Sequence, residues 1–282
     1  MNANLPLKTP AISAWLQDAT KQLATVGIES AKLDAEIILA HTLQHGRTYL
    51  HAHGDDYLTA RQVEVANARL HLRLERTPLA YIIGHKEFYG HMFKVTPSTL
   101  IPRPESEAII DLLIEADRQL QLPLHKRRLV DVGTGSGCLG ISAKLALPEL
   151  DVTLVDVSRY ALKVAQENAK TLDADVLCLQ SNLLAEYPFI AQYIIANLPY
   201  VNPEWERSPE TNYEPELALF AEHAGLALIN RLIEQAPDHL VHGGHMFIEA
   251  DPRQHPAIVQ AAKRQGFALA TSRGFILDFV RT

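Results

Sequence analysis

Two cysteines in 282 residues, Cys138 and Cys178, are too few for a disulfide framework, and both lie in apolar patterns, so reduced structural thiols are expected. No Cys/His quartet and no His-Glu-x-x-His helix is present. Thirteen histidines occur, but His239, His242 and His245, spaced by three, straddle Gly243-Gly244, which interrupts any helix that would align them. No metal site is expected. No apolar run approaches the ~18 residues of a membrane span, and the N-terminus lacks a basic stretch followed by an apolar one, so a cytoplasmic protein is expected. Dense Lys/Arg clusters are missing beyond Lys126-Arg127-Arg128, which reads as a solvated lead-in to a strand. A binder of duplex or ribosomal RNA displays a basic face. Here residues 1–76 balance eight basic against eight acidic side chains, the remainder carries 18 against 25, and the net charge is −7. Direct nucleic-acid binding is disfavoured, and a small molecule or a basic protein partner is favoured. Internal repeats and low-complexity tracts are absent too.

What is present is a chain of 47% apolar and 21% charged residues, able to bury a core and long enough for a small domain attached to a larger one. Residues 9–76 read as helices. Thr9 is placed to cap the first with Pro10 at its first position, Ile12, Trp15, Leu16, Ala19 and Leu23 share one face, and Gly27 ends it. Ser30 caps a second, with Leu33, Ile37 and Ile38 inward. Thr59-x-x-Gln62 is a capping box for a third, lined by Val63, Ala66 and Leu70. The boundaries expected are a helical bundle over 1–76, a β-hairpin linker over 77–103 around Phe88–Val95, and a catalytic domain over 104–282. Pro104 suits a first helical position, with Ile109, Ile110, Leu112 and Leu113 as the buried stripe.

From Leu129 strands and helices alternate. Strands are expected near 129–132, 152–157, 176–180, 193–196 and 245–250, then 268–272 and 275–280, with helices near 137–147, 159–171, 224–236 and 256–265. This is an α/β, Rossmann-like doubly wound sheet, with one antiparallel strand because the last two meet at Arg273-Gly274 with no helix between. In such sheets ligands bind at the C-terminal ends of strands. The first strand runs into Gly133-Thr134-Gly135-Ser136-Gly137, where glycines let the backbone turn sharply and approach a ligand at a helix N-terminus. Gly135-x-Gly137-x-x-Gly140 matches a dinucleotide fingerprint, whereas Asp131-x-Gly133-x-Gly135-x-Gly137 resembles the S-adenosylmethionine pattern, in which the strand-end acid helps to place the methionine part. Asp156, ending the second strand, suits a ribose diol, although it also suits a helix cap unless Ser158 takes that role. The fourth strand ends at Asn197-Leu198-Pro199-Tyr200, an amide, a proline-shaped turn and an aromatic ring; taken alone, it is also an ordinary turn.

Together with Pro78-Leu-Ala-Tyr81-Ile-Ile-Gly84, Glu87-Phe-Tyr-Gly90, Leu100-Ile-Pro-Arg103-Pro104-Glu105-Ser-Glu107, Tyr213-Glu214-Pro215 and the strand ending in Glu249, these motifs closely resemble the HemK/PrmC glutamine methyltransferases of peptide chain release factors. The resemblance implies an S-adenosylmethionine-dependent methyltransferase sheet behind a helical substrate-recognition domain. It also implies transfer to the side-chain amide nitrogen of the glutamine in the Gly-Gly-Gln motif of release factors. Asn197, Pro199 and Tyr200 would be catalytic, and Asn197 through Tyr200 would bind substrate. Asp131, Gly133, Thr134, Gly135, Ser136, Gly137, Asp156, Asn182, Leu183 and Asn197 would bind the cofactor. Leu198 stands where the family carries proline, freeing φ, and Asn182 stands where it carries aspartate. Asn-Leu-Pro-Tyr is also the motif of ribosomal-RNA adenine dimethyltransferases. Adenine in RNA or DNA, a glutamine of a large-subunit ribosomal protein, and binding without turnover therefore stay open as alternatives.

Overall fold

Helix α1, Ile12–Thr25, begins later than Thr9-Pro10 would place it. The Pro10 carbonyl accepts from Leu58 N (3.0 Å), while Ile12 N and Ser13 N donate to the Asp56 and Gly54 carbonyls (2.9 Å each). A neighbouring loop thus satisfies the free N–H groups of the first turn, and no side-chain cap is used. The structure, a computed structural model, describes residues 9–119, 127–202, 204–220, 222 and 225–282.

The chain divides into two compact units, residues 1–84 with Pro209–Tyr213, and His85–Ser208 with Glu214–Thr282. The helical unit continues with α2, Ala31–Leu43, α3, Arg47–Ala52, α4, Ala60–Leu74, and α5, Leu79–Ile83. Ser30 occupies the N-cap position of α2, but at φ −83°, ψ 18° its hydroxyl makes no cap bond. The inner face of α2 is Ala31, Ala35, Ile38 and Leu39, not Leu33, which is 42% exposed. The alanines set the close α1–α2 approach, and Leu33 falls outside that stripe. The capping box of α4 forms as the sequence predicts, Gln62 N donating to Thr59 Oγ1 (3.2 Å) and Thr59 N to Gln62 Oε1 (2.8 Å). The core gathers Trp15, Leu23, Ile38, Leu39, Leu50, Ala66 and Leu70. A buried pair, Arg73 with Asp34 (2.7 Å), extends to Glu210 (3.0 Å), which also meets Arg76 (3.2 Å). The 3₁₀ turn Pro209–Tyr213 is held in this unit by those bonds.

The second unit opens with a hairpin, β1 (His85–Phe88) and β2 (His91–Lys94), turning through Tyr89 and Gly90 at φ 50° and 78°. Phe88 and Phe93 bury against Ile109, Ile110 and Leu113 of α6, Glu107–Gln119, which follows the 3₁₀ turn Pro104–Ser106. Thereafter come β3 (Arg128–Val132), α7 (Cys138–Ala146), β4 (Asp151–Asp156), α8 (Arg159–Thr171), β5 (Val176–Gln180), β6 (Ala191–Ala196) and α9 (Glu216–Leu219). The series closes with α10 (Ala227–His239), β7 (Leu240–Glu249), α11 (His255–Arg264), β8 (Phe267–Arg273) and β9 (Ile276–Arg281). The sheet order is β5-β4-β3-β6-β7-β9-β8, with β9 alone antiparallel to both neighbours. The expected α/β Rossmann-like sheet with one antiparallel strand is found. β7 starts five residues earlier than expected because Gly243-Gly244 form an irregularity inside the strand: Ala191 pairs with Leu240, but Tyr193 already pairs with His245.

Two apolar layers cover the sheet. Ile194, Ala196, Met246 and Ile248 face α10 and α11, whereas Tyr193, Ile195 and Phe247 face α6 and α7. Arg127 is not the solvated lead-in expected: it is 6% exposed and pairs with Asp117 (2.6 Å), which also accepts from Tyr193 OH (2.8 Å). Arg128 lies over the Phe189 ring, and Lys126 falls outside the described residues. Among the described residues no helix is long and apolar enough to cross a membrane, and no group of three or more His, Cys, Asp or Glu is arranged to hold a metal.

Candidate active site

A cavity of about 280 Å³ opens at the C-terminal ends of β3, β4, β5 and β6, where strand order switches direction around β3. The glycine loop forms its floor. Gly133, Gly135 and Gly137 take φ of 73°, 57° and 82°, a region L side chains rarely enter. Gly133 N and Thr134 N both donate to the Val155 carbonyl, which clips the loop onto β4. Asp131 lies beneath the loop rather than on the cavity wall, 1% exposed, its Oδ2 accepting from the Thr134 hydroxyl (2.6 Å) and Gly140 N (2.9 Å). Burial pushes its carboxyl up to about 6, against the pull of those two bonds, and the nearby Asp156 charge adds to the rise. Gly137 is likewise buried off the wall, turned toward Ile141 and Ala165.

Asp156 lines the cavity with one oxygen on Gly135 N (2.9 Å) and the other on Ser158 N (2.8 Å). The carboxylate faces the cavity with acceptor capacity beyond these backbone bonds, the requirement for gripping a hydroxyl of a diol. Burial raises its carboxyl, opposed by backbone N–H bonds from Ser158, Gly135 and Val157. The cap of α8 is supplied by Ser158, whose Oγ accepts from Ala161 N (3.3 Å). Asn182 and Leu183 complete the β5 end; Asn182 N donates to Glu186 Oε2 (2.8 Å), and Leu183 sits at φ 58°, a strained value held by the Ser181 hydroxyl on its carbonyl (2.6 Å).

On the opposite wall Asn197 Nδ2 donates to Ser106 Oγ (3.1 Å). Leu198 is 3% exposed, and its Cδ2 lies so close to Gly133 that a Cβ there would meet it at 2.8 Å. Packing on the glycine loop, rather than a proline ring, fixes this turn. Pro199 also lines the cavity. Tyr200 does not: its hydroxyl donates to Glu249 Oε1 (3.1 Å), and its carbonyl accepts from Gln254 Nε2 (2.8 Å). Burial pushes the Tyr200 hydroxyl up, with the Glu249 charge adding to it. Glu249 is itself 1% exposed, its carboxyl raised by burial against the contacts of Ser106, Tyr200 and Asn197.

Ten of the thirteen residues singled out in the sequence therefore share one cavity; Asp131, Gly137 and Tyr200 stand behind its walls. Sequence reasoning assigned no site role to Arg103, Ser106, Glu214 or Glu249. Arg103 and Ser106 line the cavity, and the buried Glu214 carboxylate holds the Ile101–Arg103 stretch by accepting from Ile101 N (3.1 Å) and from Arg103 Nη2. Their signal was available, because Arg103-Pro104-Glu105, Tyr213-Glu214-Pro215 and the strand ending in Glu249 all belong to the motifs quoted above.

Residues 14–84 match the PrmC N-terminal domain model and residues 111–210 the methyltransferase small domain model. A release factor glutamine methyltransferase of Deinococcus radiodurans is 33% identical over 89% of this chain and 90% of its own length, and that of Escherichia coli K12 is 34% identical over 91% and 90%. Among solved structures, the hMettl16 catalytic domain in complex with MAT2A 3′UTR hairpin 6 superposes with a TM-score of 0.52 over 75% of this chain and 80% of that one, at 15% identity, a likeness of fold alone. With the glycine loop, Asp156 and Asn197-Leu198-Pro199 converging on one cavity, and relatives above 30% identity over most of both chains, the chain belongs to the release factor glutamine methyltransferase family.

Proposed function

We propose that this enzyme transfers a methyl group from S-adenosylmethionine to the side-chain amide nitrogen of the glutamine in the Gly-Gly-Gln motif of peptide chain release factors, in the cytoplasm. The observation that carries the proposal is the polarity of Asn197. Its Nδ2 is committed to Ser106, which leaves Oδ1 as an acceptor at the cavity shared with the glycine loop and Asp156. The release factor glutamine methyltransferases that this chain resembles support the same assignment.

The residues fit the cofactor. Positive-φ glycines leave open space above the loop, since a Cβ built on Gly135 would meet only the Gly133 carbonyl, at 4.0 Å. Asp156 offers two carboxylate oxygens for a ribose diol, and Asn182 and Leu183 flank the base position. Bound there, S-adenosylmethionine supplies an electrophilic sulfonium methyl group. The chain's own task is to present the acceptor nitrogen. An amide nitrogen is a poor nucleophile because its lone pair is delocalised into the carbonyl, and its two N–H groups require acceptors. Asn197 Oδ1 accepts one, and a backbone carbonyl at Leu198-Pro199 accepts the other, so the nitrogen is aimed before transfer, and the N-methylated amide, strongly acidic while it keeps both protons, then sheds one of them to solvent. Catalysis then rests on positioning and polarisation. The helical unit serves to hold the release factor.

The test is incubation with labelled methyl donor beside purified release factor and, in parallel, ribosomal RNA. Label is expected on the release factor glutamine and absent with Asn197→Ala. Label on RNA alone would establish the adenine alternative that Asn-Leu-Pro-Tyr raises.

A further inference from the structure

Strand alternation brings three polar residues to one place. Ala196 pairs with Ile248, so Asn197 and Glu249 follow side by side at the ends of β6 and β7. Both continue the face of Ile195 and Phe247, the face covered by α6, whose approach ends at Ser106. Asn197 Nδ2 meets Ser106 Oγ at 3.1 Å, Tyr200 OH meets Glu249 Oε1 at 3.1 Å, and both Ser106 and Asn197 lie against the Glu249 carboxylate. Glu249 is outside the cavity lining, and its second oxygen, Oε2, is buried with no hydrogen bond completed to it.

We propose that Glu249 is a positioning residue that fixes the polarity of the Asn197 amide by way of Ser106. It deepens the glutamine assignment above and rests on it. A carboxylate only accepts hydrogen bonds, whereas a serine hydroxyl has one donor and two lone pairs. Turned to Glu249 Oε2, the Ser106 hydrogen supplies the missing bond and leaves Oγ facing Asn197 purely as an acceptor. Asn197 must then offer Nδ2 to Ser106 and Oδ1 to the cavity. Without the carboxylate, Ser106 can donate to Asn197 instead, the amide can turn over, and its NH₂ would oppose the NH₂ of the substrate. A buried, incompletely bonded carboxylate is costly, and this orienting role explains why one is kept behind the acceptor wall.

The test compares Glu249→Gln, Ser106→Ala and the double variant in release-factor methylation, with cofactor affinity by calorimetry. Glu249→Gln is expected to lower kcat at least tenfold while the KM for release factor and the cofactor Kd stay within threefold. Ser106→Ala is expected to do the same, and the double variant to be no worse than either single one, because both interrupt one relay. A wild-type kcat in Glu249→Gln, losses that multiply in the double variant, or an equal loss of cofactor affinity would overturn the proposal. So would Tyr200→Phe reproducing the full loss, since the carboxylate would then act through the tyrosine. If Glu249→Gln does not fold, Ser106→Ala decides alone on the same kcat criterion. Asn197→Ala separates the two levels: full activity there defeats the glutamine-orienting assignment itself, whereas its loss beside an unaffected Glu249→Gln defeats only the role of Glu249.

Discussion

Replacing Gly140 with alanine should cost stability although alanine is the better helix former. Gly140 is the third residue of α7, and a Cβ there would lie 2.2 Å from Leu154 Cδ2 and 3.0 Å from both Cβ and Oδ2 of Asp131. Leu154 is fully buried in β4, so its methyl has nowhere to turn. Overpacking of this kind costs about 1–3 kcal/mol. Moving α7 outward relieves the overlap but stretches the 2.9 Å bond from Gly140 N to Asp131 Oδ2, and a hydrogen bond to a charged group is worth about 1.5–3 kcal/mol. The two costs are alternatives in part, and helix propensity returns about 1 kcal/mol. A net loss of about 1–3 kcal/mol follows, and at about 2–4 °C per kcal/mol for a unit of this size Tm falls by about 2–12 °C. The two tryptophans divide conveniently, Trp15 in the helical unit and Trp205 in the other, so thermal melts followed by fluorescence in a Trp15→Phe background report on the catalytic unit. Because Asp131 also braces Thr134, cofactor affinity should weaken with stability. An unchanged or raised Tm with an unchanged cofactor Kd would show that neither the Leu154 contact nor the Asp131 bond constrains the loop.

Asp156→Ala is expected to weaken cofactor binding at least tenfold, about 1.4 kcal/mol, while Asn197→Ala leaves it within threefold; calorimetry giving the same Kd for Asp156→Ala and the parent would contradict the ribose role. The second expectation concerns pH. Asp131 is raised from 3.8 to about 6 in the folded chain, so the native state holds this proton more tightly than the unfolded one. Stability contributed by that group is therefore present at low pH and falls as pH rises from about 4 to 6, by at most about 3 kcal/mol. Urea midpoints of the parent and Asp131→Asn should diverge across that window, and a pH-independent offset between them would rule the titration out.

The fold was largely legible because period and punctuation agree in it. Buried parallel strands such as Val152–Val155 and Ile194–Ala196 are short apolar runs between glycines and helix caps, and α8 and β5 fall where their patterns place them. The failures have local causes. Pro10 stays outside α1, its carbonyl serving Leu58, a partner almost 50 residues away that no local pattern announces. Gly243-Gly244 lies outside the strand expected near 245–250 but is an irregularity within β7. In the site, motif spacing marked the glycine loop, Asp156 and the Asn197 turn, whereas Arg103 and Ser106 on the wall and Glu214 and Glu249 behind it carried no role until the chain folded. Glu249 acquires its meaning only when β6 and β7 become neighbours, and Glu214 only when its loop returns to Ile101 and Arg103. Arg127 shows the same limit from the other side, a basic residue in a charged run whose partner, Asp117, makes it part of the interior.

Pro209–Tyr213 belongs to the helical unit although the chain on either side of it belongs to the other. Inheritance follows from that. A single exchange between related genes at residue 84 would take the helices from one parent and this five-residue turn from the other. Arg73 and Arg76 would then meet a stranger's residue in place of Glu210. The two units therefore cannot be shuffled as independent cassettes, and Arg73, Arg76 and Glu210 are expected to change together as lineages diverge.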